Sequence, residues 1–298
     1  MAMKLLYATD GSPVSEAAAH LLAKLLNREG TSVTVVTVTP ARSIDPDDLL
    51  LQLDPIEKRR EDSAKIVQHA TETLRDAGFE VEASILEGHP GHELVKAADE
   101  GGFDVVVVGA GSHSWMGNRL LGSVSSHVLH AAGCSVVVVH EASDPSERGR
   151  VVVGVDGSEA SLASVDLLGT LLEPGRCTVE VIAVIQLRTP VVAAVPVGVF
   201  VPDERVMEQE EKILRDLAGK HVAEAMQVLE KAGFETTSQI YVGSPTGLLL
   251  DHVRSTGADL LTVGSRGLGA MGRVILGSVS DQVARLAPAT LVVKATPS

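Results

Sequence analysis

Aromatic side chains are nearly missing from this sequence: Phe, Trp and Tyr make up 2% of 298 residues. A core without them must be assembled from Val, Leu, Ile and Ala, which suits β-branched strands covered by Ala- and Leu-rich helices. Cysteine is also scarce. Cys134 and Cys177 are the two present, each at the start of an apolar run where a small buried thiol is ordinary. So few cysteines exclude a disulfide scaffold and suit a reducing cytoplasm. There is no basic surplus either, since 25 Lys and Arg stand against 39 Asp and Glu, a net charge of -14. Such a surface repels phosphate backbones, and no basic patch is interleaved with aromatics, so a nucleic-acid partner is not expected. Long apolar runs are lacking. The longest, Val191 to Val201, is broken by Pro196 and Gly198 and is too short to cross a bilayer. The first ten residues lead into a strand pattern with no signal-peptide layout, so a soluble cytoplasmic protein without a membrane partner is expected.

What the chain does contain is itself, twice. Lys4 to Ser12, ending Asp10-Gly11-Ser12, matches Val151 to Ser158, ending Asp156-Gly157-Ser158. Ala77-Gly78-Phe79-Glu80 recurs as Ala232-Gly233-Phe234-Glu235, and Gly122-Ser123-Val124-Ser125 recurs residue for residue as Gly277-Ser278-Val279-Ser280. The matches keep chain order, the mark of a duplicated domain. The copies are offset by 146 positions at the first Asp and by 155 from residue 77 onward, so the second holds nine extra residues, expected within Leu187 to Pro202. A polar, turn-rich linker, Glu141 to Gly149, separates them, giving expected domains of 1–143 and 149–298.

Each copy alternates apolar runs with helical periodicity. In the first, strands are expected over Lys4–Ala8, Val33–Val38, Val81–Leu86, Val105–Val108 and Val136–Val139. Helices are expected over Ser15–Asn27, Glu57–Ala77, Gly91–Asp99 and Gly122–Ala131. The unbroken Val105–Val108 run reads as a strand buried on both faces, and the alternation predicts a parallel sheet with helices on both sides.

Open parallel sheets bind ligands beyond the carboxyl ends of their strands, where strand order reverses. Strand one ends there in Asp-Gly-Ser. Strand four runs into a Gly-rich loop, which in the second copy is Gly264-Ser-Arg266-Gly267 followed by a stretch ending in Gly277-Ser278-Val279-Ser280. Gly264 and Gly267 tolerate positive φ and allow close backbone approach. Ser278 and Ser280 open a helix whose free amides attract anions, and Arg266 and Arg273 add positive charge. Together these read as a phosphate cradle, although the same residues would also serve a plain strand-to-helix connection with a serine cap. Asp156 likewise reads two ways: a ligand or water-bridged Mg²⁺ partner, or a residue that turns the chain and caps the next helix.

This constellation resembles the universal stress protein family over nearly the whole chain, as two family domains. The nucleotide-binding subgroup carries Gly, two residues, Gly, nine residues, Gly, then Ser or Thr, which Gly264, Gly267, Gly277 and Ser278 fit without a gap. The resemblance implies an α/β fold of two tandem Rossmann-like, adenine-nucleotide α-hydrolase-like domains, each a five-stranded parallel sheet of order 3-2-1-4-5. It implies ATP or ADP, with Mg²⁺, bound with adenine at the end of strand two beside Val184. Asp156 would lie near the ribose and the Gly277-Ser278 turn would hold the phosphates, with Val155, Val279 and Ser280 also among the nucleotide-binding residues. In the first copy the corresponding residues are Thr9, Asp10, Val38, Gly109, Gly122, Ser123, Val124 and Ser125, with Ser112 replacing the second Gly and Asn118 standing where the second copy has Arg273. A site of the same shape with weaker or altered binding is expected there. The resemblance also implies that the last strands, Val136–Val139 and Leu291–Val293, pair as a pseudo-dimer, and it allows a homodimer beyond that.

Other signals are weaker. His89-Pro-Gly-His92 has ligand-like spacing but no partner cluster, so a solvated loop is expected, not a metal site. His113 lies close enough to the expected site to meet phosphate. Trp115 and Met116 suit packing on a helix better than a lid. The uncharged Leu187–Pro202 segment suits a contact surface. Three functions stay open: a non-catalytic nucleotide-binding stress module, a slow Mg²⁺-dependent ATPase, and an interaction protein with an empty first site. No Walker A lysine motif is present.

Overall fold

The computed structural model describes residues 3–40, 56–111, 121–141, 147–187, 204–265 and 276–294. The first half runs β1 (Met3–Ala8), α1 (Pro13–Leu25), β2 (Thr31–Thr39), α2 (Ile56–Asp76), β3 (Glu80–Glu87), α3 (Pro90–Gly101), β4 (Val105–Gly109), α4 (Ser123–Ala131) and β5 (Ser135–Val139). The second half repeats it as β6 (Gly149–Val155), α5 (Glu159–Leu171), β7 (Cys177–Ile185), α6 (Glu204–Lys231), β8 (Glu235–Val242), α7 (Pro245–Thr256), β9 (Leu260–Gly264), α8 (Ser278–Leu286) and β10 (Ala289–Val293).

Local chemistry sets many of the boundaries. Ser12 and Ser158 cap α1 and α5 by accepting from the amides of Ser15 and Ser161. Pro90 and Pro245 occupy the first turns of α3 and α7, where no amide partner is needed. The same helices stop at Gly102 (φ 61°) and Gly257 (φ 63°), whose left-handed conformation closes them.

Among the described residues the ten strands form one sheet of order β3-β2-β1-β4-β5-β10-β9-β6-β7-β8. Each half therefore has the expected 3-2-1-4-5 order. All pairings within a half are parallel, and the halves join through an antiparallel pairing of β5 with β10, Val137 opposite Leu291. Side chains alternate across the sheet. Val105, Val107, Val137 and Val139 enter the core under α1, α2, α5 and α6, while Val106, Val108, Val136 and Val138 enter the core under α3, α4, α7 and α8. Each of these valines is 4% exposed or less, which explains the unbroken apolar runs.

A second junction lies between the ends of α1 and α5. Leu26 and Leu172 form an antiparallel bridge, and the Asn27 and Glu173 amides donate to the Leu171 and Leu25 carbonyls, each at 2.9 Å. The segment expected to hold the nine extra residues, Leu187 to Pro202, lies outside the described residues apart from Leu187.

Candidate functional site

Strand β1 delivers Thr9 and Asp10 to the carboxyl edge of the sheet. Asp10 Oδ1 accepts the Ser12 amide at 3.0 Å, and Gly11 takes φ 73° to allow this turn. Thr9 Oγ1 lies 3.1 Å from Ser15 Oγ, and the Ser15 hydroxyl donates to the Ser12 carbonyl at 2.9 Å. The second copy repeats the turn, with the Ser158 amide on Asp156 Oδ1 at 2.9 Å and Gly157 at φ 78°. The capping role read for Asp-Gly-Ser is thus present in both halves, and Asp10 and Asp156 remain exposed beside it. Partial burial pushes the Asp10 carboxyl upward, but hydrogen bonds from Ser12 and Ser15 outweigh it and hold the group below its ordinary value.

The two ends of the Gly-rich loop are tied together. The Ala110 carbonyl accepts from the Gly122 amide at 2.6 Å and from Ser125 Oγ at 2.9 Å. In the second copy the Gly277 amide donates to the Ser265 carbonyl at 2.8 Å and Ser280 Oγ to the Gly264 carbonyl at 2.6 Å. Ser125 and Ser280, read as ligand contacts, are 1% and 4% exposed and spend their hydroxyls on this closure. Ser123 and Ser278 are exposed at the first helical positions. Helices α4 and α8 begin at Gly122 and Gly277 without a side-chain cap, which leaves first-turn amides to find partners elsewhere.

Two expected roles change. Gly264 does not adopt positive φ. A Cβ there would lie 2.7 to 2.8 Å from Ala160 and Ser161 at the start of α5, so the glycine is required by helix packing. Gly109 is matched to α1 in the same way, 3.2 Å from the Ser15 amide nitrogen. In the first copy it is Gly111 that takes the special conformation, at φ 108°. Val155 buries its side chain in the core at 4% exposure, leaving only its backbone at the strand end.

In the first copy these elements enclose a cavity of about 540 Å³, the size of a small-molecule site. Thr9, Asp10, Val38, Gly109, Gly122, Ser123, Val124 and Ser125 all line it, so that half of the expected site is brought together. Ser112 lies outside the described residues. The wall also includes Arg59, Asp62, Ser63 and Ile66 from α2, which the sequence reading missed. Their i, i+3, i+4, i+7 spacing marks one helix face and was the available signal. In the second copy β6 pairs with β9, and Val184, the penultimate residue of β7, lies opposite Tyr241. Arg266 and Gly267 lie outside the described residues. His221 packs against Gly157 where Ile66 packs against Gly11.

The family model described as "Universal stress protein family" matches residues 1–140 and 147–294. The chain belongs to the universal stress protein family. It is 30% identical over 295 residues to a universal stress protein of Mycobacterium tuberculosis, covering 95% of this chain and 93% of that one. A universal stress protein of Mycolicibacterium smegmatis is 26% identical over 296 residues, covering 97% and 96%. Among solved structures, a universal stress protein from Archaeoglobus fulgidus superimposes with a TM-score of 0.62 at 21% identity, covering 98% of each chain. These relatives span both domains, so the tandem arrangement is shared.

Other features of this universal stress protein fall outside the crevice. His89 and His92 start α3, and His92 stacks on His127 of α4 with ring centroids 5.8 Å apart. Among the described residues no group of three or more His, Cys, Asp or Glu could hold a metal ion, and no helix is long and apolar enough to cross a membrane. His113, Trp115 and Met116 lie outside the described residues. Cys134 and Cys177 are free, and burial pushes their thiols up to about 11 and about 12. A network absent from the sequence reading links Glu180 Oε2 to His252 Nε2 at 2.8 Å and His252 Nδ1 to the Tyr241 hydroxyl at 2.9 Å.

Proposed function

We propose that each domain binds an adenine nucleotide, ATP or ADP, at the carboxyl edge of its sheet, and that the protein is a nucleotide-dependent regulatory module of stress physiology without dedicated catalysis. The observation that carries this reading is the uncapped first turn of α4 opening on the cavity that Asp10 faces. Bare amides and the positive end of the helix dipole suit a polyphosphate. Gly122 also lets the loop close beside this turn, because a Cβ there would stand 3.1 Å from the Ala110 carbonyl oxygen.

Phosphates would rest on Gly122, Ser123 and Val124, with the ribose toward Thr9 and Asp10 and the base toward Val38. Asp10 would hold Mg²⁺ through water, and that ion would offset phosphate charge. In the second domain the corresponding groups are Val155, Asp156, Val184, Gly264, Arg266, Gly267, Gly277, Ser278, Val279 and Ser280, with Ser280 acting by holding the loop closed. The domains we assign are residues 1–143 and 149–298. Regulation needs only two conformations of unequal nucleotide affinity.

Nucleotide extracted from the purified chain and identified by mass spectrometry tests this. ATP or ADP at one to two per chain is expected. A chain that carries none, and shows no calorimetric response to ATP in the micromolar-to-millimolar range, would overturn the reading. Turnover well above about one per minute would favour an ATPase, since dedicated enzymes commonly exceed that rate by orders of magnitude.

A further inference from the structure

The strands of the two domains are duplicated, but the helix that walls the first cavity differs in kind from its counterpart in the second domain. In the first domain the cavity wall from α2 carries Arg59, Asp62 and Ser63. The 155-residue offset puts Leu214, Leu217 and Ala218 at those positions on α6. A donor, an acceptor and a hydroxyl have been replaced by three apolar side chains.

The placement of α2 is fixed. Ser63 Oγ lies 2.9 Å from Thr39 Oγ1 at the end of β2, and both residues are buried. Arg59 and Asp62 line the cavity beside that contact, and β1 separates β2 from β4, the strand that leads to the uncapped start of α4. Arg59 has no ion-pair partner among the described residues. Among the described residues Asp62 meets only Lys65, at 3.7 Å, through side chains that are largely exposed. Neither charge is committed to the fold.

We propose that Arg59 and Asp62 select the base in the first domain, and that the second domain, with leucines there, discriminates bases poorly. This rests on the nucleotide reading above. With phosphates at α4, the base reaches the β2 end, where α2 supplies a guanidinium and a carboxylate one turn apart on the cavity wall. An adenine edge offers the complement: an exocyclic amino group that donates beside a ring nitrogen that accepts. A site built to hydrogen-bond such a group rejects an analogue that lacks it, because its own polar groups are left unpaired. An apolar wall does not.

The test compares ATP with purine riboside 5′-triphosphate, which lacks the amino group, by calorimetry on the full chain. With the second cradle closed by Gly277→Val, the first domain should prefer ATP by about tenfold or more. Arg59→Leu/Asp62→Leu, which installs the second domain's residues, should bring the ratio within about twofold. Asp62→Asn, which keeps the shape, should lower it by about threefold or more. With the first cradle closed by Gly122→Val, the second domain should show a ratio near one. An undiminished ratio in the α2 variants, or a tenfold preference in the second domain, would overturn the proposal while leaving nucleotide binding intact. Absence of ATP binding in the wild-type chain would instead overturn the proposed function, and this inference with it.

Discussion

Lys24 of the first domain and Asp259 of the second form a buried ion pair, with Nζ 2.9 Å from Oδ1 and side chains 4% and 9% exposed. The other oxygen of Asp259 accepts the Arg150 amide at 2.8 Å, as Asp104 accepts the Lys4 amide in the first domain. Asp259 thus closes its own domain and grips the other. Removing one member of such a pair strands the remaining charge. Asp259→Ala should cost about 3–5 kcal/mol in urea unfolding, and Lys24→Met in that background should recover much of the loss. A cost below about 1 kcal/mol would place the pair with surface ion pairs instead.

Closing the phosphate cradle should separate binding from folding. Gly122 has ordinary φ, so Gly122→Val meets no backbone strain, but its Cβ would crowd the Ala110 carbonyl oxygen at 3.1 Å and the Gly111 Cα at 3.4 Å. The added bulk would distort the turn that presents the first-turn amides. Calorimetry should show ATP binding at the first domain weakened at least about tenfold, a loss of about 1.4 kcal/mol. Circular dichroism should show the fold retained.

Acid should loosen the domain junction through Asp281. Arg285 donates to both its oxygens, at 2.9 and 3.0 Å, and His130 of the first domain lies 3.3 Å away. The Arg285 hydrogen bonds hold this carboxyl below the ordinary aspartate value, against some desolvation. A lowered folded value means the carboxylate stabilises the protein above the unfolded value, about 3.9. That contribution fades as pH falls through the lower folded value. Melting temperatures of wild type and Asp281→Asn should therefore differ at pH 6 and converge as pH falls through the lowered folded value.

Thr262 of β9 is fully buried and its hydroxyl has no partner among the described residues, whereas the first domain has Val107 at the matching position. An unsatisfied buried hydroxyl costs about 1–3 kcal/mol. Thr262→Val should stabilise the protein by about 1 kcal/mol, seen as a raised urea midpoint with unchanged slope.

Periodicity and repetition made the architecture readable because each alternation of valines and each Asp-Gly-Ser turn acts over a few residues. Val105–Val108 differs from β4 by one position, and the strand order follows once the family is recognised. What escaped is set by distant contacts. That Gly264 is a glycine because α5 crosses it, and that the Ser280 hydroxyl points inward, depends on how helices settle on the sheet. Arg59 and Asp62 were visible as one helix face, but nothing local says that this face looks into the crevice. The Lys24–Asp259 pair joins residues 235 positions apart and leaves no trace in either copy, since Thr170 occupies the position matching Lys24.

The antiparallel meeting of β5 and β10 has a geometric consequence. Strands in the two halves point in opposite directions, so their carboxyl ends, and the crevices they support, open at opposite rims of one continuous sheet. A single small molecule has no route to touch both. The last-strand edge through which separate family domains would associate is already spent inside the chain, leaving β3 and β8 as the outer strands. Any second copy would have to dock on a different surface.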